Sequence, residues 1–205
     1  MKMKKLFEMF LENRLYKDLF LISLGALILT VGSTFLIMRY REFSAWEHLK
    51  QAQTEKEISD MLQANRSRKF REIAMMKLSE LLMNEKKFDN ARYYQDILRK
   101  TASQQQLRFR AASDYAISLF FAQKNKDAII ALKEIETYSG PIPAEKRFSI
   151  LLLLATASFR CGEQLSGKKY LLEILALPPS TNPKNQEIYQ KANTLLKLLE
   201  KGEYK

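Results

Sequence analysis

Two residue types with chemical reach are nearly missing from this chain: it has one cysteine, Cys161, and one histidine, His48, in 205 residues. A single cysteine excludes an internal disulfide framework. The pair together leaves almost no material for a Cys/His metal site or for a Ser/His or Cys/His nucleophile. Cys161 stands in an apolar stretch, where a small thiol serves packing, and His48 stands on a polar stretch as a solvated side chain. Proline and glycine are sparse, at five and six residues, and runs of β-branched residues are lacking. Strands and tight hairpins therefore have few building blocks. Leu, Ala, Lys, Glu and Gln fill the sequence instead, and the chain is expected to be all-α. Paired acids such as Glu134 and Glu136 lie two apart, so on a helix they diverge. No nucleophile–base pair or metal cluster is visible, so the expectation is no enzyme, no cofactor, no metal and no small-molecule substrate.

Charge is abundant but not clustered. The formal net charge is +11, with no run of Lys/Arg longer than three and no motif of a nucleic-acid module. The excess reads as a solvated basic bias, and nucleic acid is not expected as a partner.

What the sequence does have is one long apolar run. Leu19 to Met38 reads LFLISLGALILTVGSTFLIM, twenty residues without Asp, Glu, Lys, Arg or His. At about 1.5 Å per residue such a helix matches a hydrocarbon core of roughly 30 Å. The expectation is a single transmembrane helix over 19–38, preceded by a cytoplasmic tail over 1–18. Tail cations Lys2, Lys4, Lys5, Arg14 and Lys17 favour the tail inside and the following domain outside. Arg39-Tyr40-Arg41 offers no small-x-small cleavage site, so the anchor is retained. Within the span, Ala26, Thr30 and Thr34 recur every four residues, a spacing that permits close packing of a second helix.

After the span, a linker helix is expected over 39–66, with Trp46, Leu49, Ile58, Met61 and Leu62 apolar. From 67 to 205 the pattern becomes paired helices. Ala112, Tyr115, Ala116, Leu119, Ala128, Leu132 and Ile135 fit two helices joined by a tight turn near Gln123. Small Ala116 and Ala128 let the backbones approach. The same template finds Met75, Leu78, Ser79, Leu82, Ala91 and Leu98, then Leu151, Leu154, Ala155, Ser158, Gly167, Leu171 and Ile174. A last helix over 185–201, with Ile188, Ala192, Leu195, Leu196 and Leu199 inward, caps the open end.

These units resemble the tetratricopeptide repeat, whose usual period is about 34 residues. The resemblance implies that the first helix of each pair lines a groove. By template position the groove residues are Met76, Glu80 and Met83; Arg110, Ser113, Ile117 and Phe120; and Leu152, Thr156 and Phe159. Met and Phe make an adaptable apolar surface, and Arg110 is suited to a carboxylate. The whole order of tail, span flanked by Arg39-Tyr40-Arg41, long helix and patterns such as Lys126-Asp127-Ala128-Ile129 resembles the ancillary subunit family of the bacterial SecYEG translocon. That resemblance implies the inner (cytoplasmic) membrane, a periplasmic repeat domain and no catalysis. It implies protein partners: translocon subunits, chaperones or exported polypeptides, with membrane lipid met through the single span. An assembly scaffold for a secretion or pilus machine fits the same pattern, and a membrane-bound hydrolase fits it less well.

Overall fold

The structure, a computed structural model, describes the backbone of residues 14–178 and 180–201, and the side chains of 23–24, 26–178 and 180–201. The tail expected over 1–18 thus lies outside the described residues up to position 13, as does Pro179. Every regular element described is a helix: α1 (Arg14–Gln51), α2 (Glu55–Ala64), α3 (Arg68–Asn84), α4 (Phe88–Thr101), α5 (Gln105–Phe121), α6 (Asn125–Lys133), α7 (Ile135–Ser139), α8 (Ala144–Arg160), α9 (Gln164–Ala176) and α10 (Pro183–Glu200). The all-α expectation holds. The chain divides between Ala52 and Gln53 into two compact units.

The first unit is built on α1, a helix of 38 residues, about 57 Å long at 1.5 Å per residue. Nothing breaks it at Arg39, where the span was expected to end. Among the described residues no helix is long and apolar enough to cross a membrane. The side chains of 19–22 and of Gly25 are outside the description, and the apolar stretch from Ala26 meets Arg39 and Arg41. Leu27, Ile28, Leu29, Val31, Phe35, Leu36, Ile37 and Met38 are all more than half exposed.

The expected linker helix over 39–66 is two helices. Thr54 stops continuity: its Oγ1 accepts from the Glu57 backbone N–H at 3.3 Å, and Glu57 Oε2 accepts from the N–H groups of Thr54 and Gln53 at 3.1 and 2.9 Å. This reciprocal capping box starts α2. Glu57 is consequently held below the usual carboxylate range, chiefly by those two backbone N–H groups. α2 packs on α3 through fully buried Ile58, so it belongs with the second unit.

The second unit stacks helical pairs, α3 on α4, α5 on α6 and α8 on α9, each also touching the next pair, with α10 closing the series against α8 and α9. The three turns within pairs share one geometry. Lys86, Gln123 and Gly162 all have positive φ, at 60°, 61° and 78°. The next residues, Lys87, Lys124 and Glu163, sit at φ/ψ of −83°/60°, −84°/60° and −84°/64°. Their N–H groups reach back five residues to Leu82, Leu119 and Ser158 at 2.8, 2.9 and 2.9 Å. That is the Schellman arrangement, which satisfies helix-end carbonyls and reverses the chain.

Four residues past each turn stands a small side chain, Ala91, Ala128 or Gly167, each buried. On the first helix of each pair Ser79, Ala116 and Ala155 are all 0 % exposed. Small buried residues on both helices of a pair permit a close approach, and Leu78, Leu98, Leu132, Ile135, Leu154, Leu171 and Ile174 are buried with them. These crossing and flanking positions, read from the sequence, are buried. Gly167 stands at a close approach: a Cβ built there would lie 2.5 Å from the Phe159 ring. The second and third pairs are joined by α7 and by Gly140 (φ 74°), which leads through Pro141-Ile142-Pro143 into α8. The capping helix starts two residues before the expected position, because the Asn182 side chain accepts from the Lys184 N–H and Pro183 occupies the first turn. Ile188, Ala192 and Leu196 face inward as expected.

Candidate functional site

The first helices of the pairs form a row. α3 meets α5 through an ion pair between Glu80 and Arg110 and through Ser118 Oγ, which lies 2.8 Å from Met83 Sδ. α5 meets α8 where the Arg160 guanidinium stacks 4.2 Å from the centre of the Phe120 ring. α8 and α10 enclose a cleft of about 580 Å³ lined by Leu152, Thr156, Glu187, Gln190, Lys191, Thr194 and Leu195.

Of the residues expected on this surface, Met83, Ser113, Ile117, Leu152, Thr156 and Phe159 are half-buried and Arg110 is exposed. Two are corrected to core. Met76 is 4 % exposed and packs with Leu98, Ala102 and Ala111. The small side chain of Ala111 leaves a gap that a flexible methionine fills. Phe120 is 7 % exposed, held among Ala116, Leu119, Ile150 and Leu154 and covered by Arg160. Phe159 is half committed to packing, since its ring lies on Gly167. Arg110, expected to hold a partner's carboxylate, already holds that of Glu80.

Beside that ion pair lies Asp114, which the sequence reading missed. Burial pushes its carboxyl up to about 6; Glu80 adds to the rise and Arg110 opposes it. Arg110 Nε is 3.9 Å from Asp114 Oδ2, a weak contact beside the tighter bond to Glu80. The signal was present as Arg110 and Asp114 one turn apart, but the burial that perturbs Asp114 depends on neighbouring helices. Deeper in the same wall, fully buried Gln95 accepts from Ser118 Oγ at 2.7 Å. Its Nε2, and Ser113 Oγ, are buried without a hydrogen-bond partner among the described residues. The wall thus combines half-buried apolar Met83, Ile117 and Leu152 with the charged cluster of Glu80, Arg110 and Asp114.

Elsewhere, Cys161 is half-buried at the end of α8 and His48 is exposed on α1. Among the described residues no three His, Cys, Asp or Glu side chains converge as a metal site would need. Ala26, Thr30 and Thr34 share an exposed stripe of α1. Thr30 Oγ1 donates to the Ala26 and Leu27 carbonyls at 2.8 and 2.9 Å, and Thr34 Oγ1 to those of Thr30 and Val31 at 2.7 and 2.9 Å. Their hydroxyls are therefore spent on their own helix and offer a second helix shape rather than donors.

Comparison with known protein families, with curated proteins and with solved structures gives no match for this chain.

Proposed function

We propose that the chain is a non-catalytic, membrane-anchored protein-binding scaffold, its N-terminus cytoplasmic and its helical pairs extracytoplasmic. The observation that carries this reading is the row of half-buried side chains on α3, α5 and α8, namely Met83, Ser113, Ile117, Leu152 and Thr156, ending in the cleft against α10. Tetratricopeptide-like arrays use this face for partner segments, and the shared turns with small crossing residues support the likeness. The anchor reading rests on the uncharged run Leu19–Met38 within one continuous helix. The inward-bonded hydroxyls of Thr30 and Thr34 support it, because a polar group facing lipid must be satisfied by its own helix. A partner class of translocon subunits, chaperones or exported polypeptides follows from the resemblance, with secretion or pilus assembly as the alternative.

The experiment is a pull-down of the full chain from membranes in mild detergent, using native sequence, Ile117→Asp and Leu152→Asp. Both positions are half-buried, so a carboxylate can reach solvent and the fold can survive. The expected result is loss of the co-purified protein with unchanged helicity. Full retention with both variants overturns the groove. Phe120→Asp is not a fair test, since it places a charge in the core.

A further inference from the structure

A second cleft, of about 440 Å³, is lined chiefly by residues of α6, α7, α8 and α9. It shares no residue with the first-helix row or with the cleft between α8 and α10. Its volume falls within the roughly 300–1,000 Å³ of small-molecule sites. The floor is apolar: Leu132, Ile150 and Leu154 are 2 %, 6 % and 5 % exposed, and Leu151 is half-buried beside them. Four charged side chains also line the cleft, and they are not equivalent. Glu136 Oε1 accepts from the Ile142 N–H at 3.3 Å, and Glu173 Oε1 lies 4.0 Å from Lys169 Nζ. Both acids thus have a partner within the chain. Lys133, at the end of α6, and Arg147, near the start of α8, are exposed and make no ion pair among the described residues. The uncommitted charges of this cleft are both positive.

We propose that this cleft binds an acyl carboxylate, its chain along Leu132, Ile150 and Leu154 and its head against Lys133 and Arg147. Charge complementarity and the apolar floor argue together for such an occupant. A wholly apolar ligand leaves both cations without a countercharge, and a small inorganic anion leaves the floor wet. Glu136 and Glu173 repel a dianion, so a single carboxylate suits the mouth better than a phosphate monoester. The net charge of +11 favours the approach of an anion. Each CH₂ group buried on the floor contributes about fourfold to affinity. The inference stands apart from the scaffold reading, because it uses none of the groove residues.

The test uses the full chain in neutral-lipid nanodiscs with decanoate that carries a diazirine at the end of its chain. Photoadducts are mapped by mass spectrometry, and adducts on the rest of the chain set the background from lipid partitioning. Adducts are expected to concentrate around Leu132 and over residues 150–154. Unlabelled decanoate is expected to displace them, and decanol at the same concentration is not. Octanoate should need up to about fifteenfold more than decanoate, for two CH₂ groups fewer. The double variant Lys133→Gln, Arg147→Gln should raise the half-saturating concentration about tenfold. Both positions are exposed, so helicity should stay unchanged. Ala176→Phe, at an exposed lining position, fills the cleft with both cations in place and should also remove the adducts. Adducts spread evenly along the chain, equal displacement by decanol, or full labelling in both variants overturns the proposal. Displacement by N-acetyl-trileucine at lower concentrations than decanoate overturns an acyl chain as the occupant in favour of a polypeptide C-terminus.

Discussion

The three matching turns make one demand, a left-handed backbone, and meet it with residues of different kinds. Lys86 and Gln123 hold φ of 60° and 61°, whereas the third turn uses Gly162 at 78°. A side chain in this left-handed region costs roughly 1–2 kcal/mol from Cβ crowding. Replacing it by glycine recovers that energy but enlarges the unfolded ensemble, which costs about 0.4–1 kcal/mol. The difference predicts that Lys86→Gly and Gln123→Gly each stabilise the second unit by about 0.5–1 kcal/mol. Gly162→Ala destabilises by a similar amount, and backbone crowding alone carries it, because nothing lies within 4 Å of a Cβ there. For a unit this size about 1 kcal/mol moves the midpoint by roughly 2–4 °C. Lys87 adds a control: it bonds Glu55 at 3.0 Å and Glu85 at 2.8 Å, so Lys86→Gly must leave that pairing in place. The assay is thermal unfolding of the full chain in detergent, followed by circular dichroism. A lower midpoint for Lys86→Gly or Gln123→Gly, or an unchanged one for Gly162→Ala, refutes the shared turn.

Gly167→Ala forces a Cβ to within 2.5 Å of the Phe159 ring; overpacking of about 1–3 kcal/mol outweighs the helix-propensity gain of about 1 kcal/mol. Adding Phe159→Leu should turn the alanine neutral or stabilising, a coupling that a double-mutant cycle in urea reads directly. Asp114 sits at about 6 against an ordinary 3.8. Its neutral form is the one the fold prefers, so its contribution is fully present below pH 4 and is lost as pH rises through 6. Asp114→Asn should therefore gain up to about 3 kcal/mol over the native chain at pH 8 and less at pH 5; equal gains at both, measured by urea midpoints, would show that the carboxyl is not perturbed.

Much of the helical stack was legible in the sequence because small residues at a crossing are a spacing signal. Ala91, Ala128 and Gly167 could each be paired with Ser79, Ala116 and Ala155 by offset alone. The break after α1 was equally legible, as Thr54-x-x-Glu57, but the apolar pattern running from Trp46 to Leu62 masked it. The site was less legible. Template position places a side chain on a helix face, and the volume of its neighbours then decides whether it is covered. Met76, Ser113 and Leu152 occupy equivalent positions, yet Met76 alone is buried, because Ala111 leaves room for it. Asp114 carried no local mark of its perturbed state, which comes from burial between helices distant in sequence.

On the reading proposed above, the scaffold engages its partners on the first-helix row. Its most direct test places a photocrosslinking residue in the full chain, in native membranes, at Ile117 and Thr156 on first helices and at Tyr93 and Ile130 on second helices. The last two are 65 % and 55 % exposed, so reactivity is not limited by access. The expected result is an adduct of the same mass from Ile117 and Thr156, lost on Leu152→Asp, and none from Tyr93 or Ile130. Adducts at Tyr93 and Ile130 with none at Ile117 and Thr156 would contradict it.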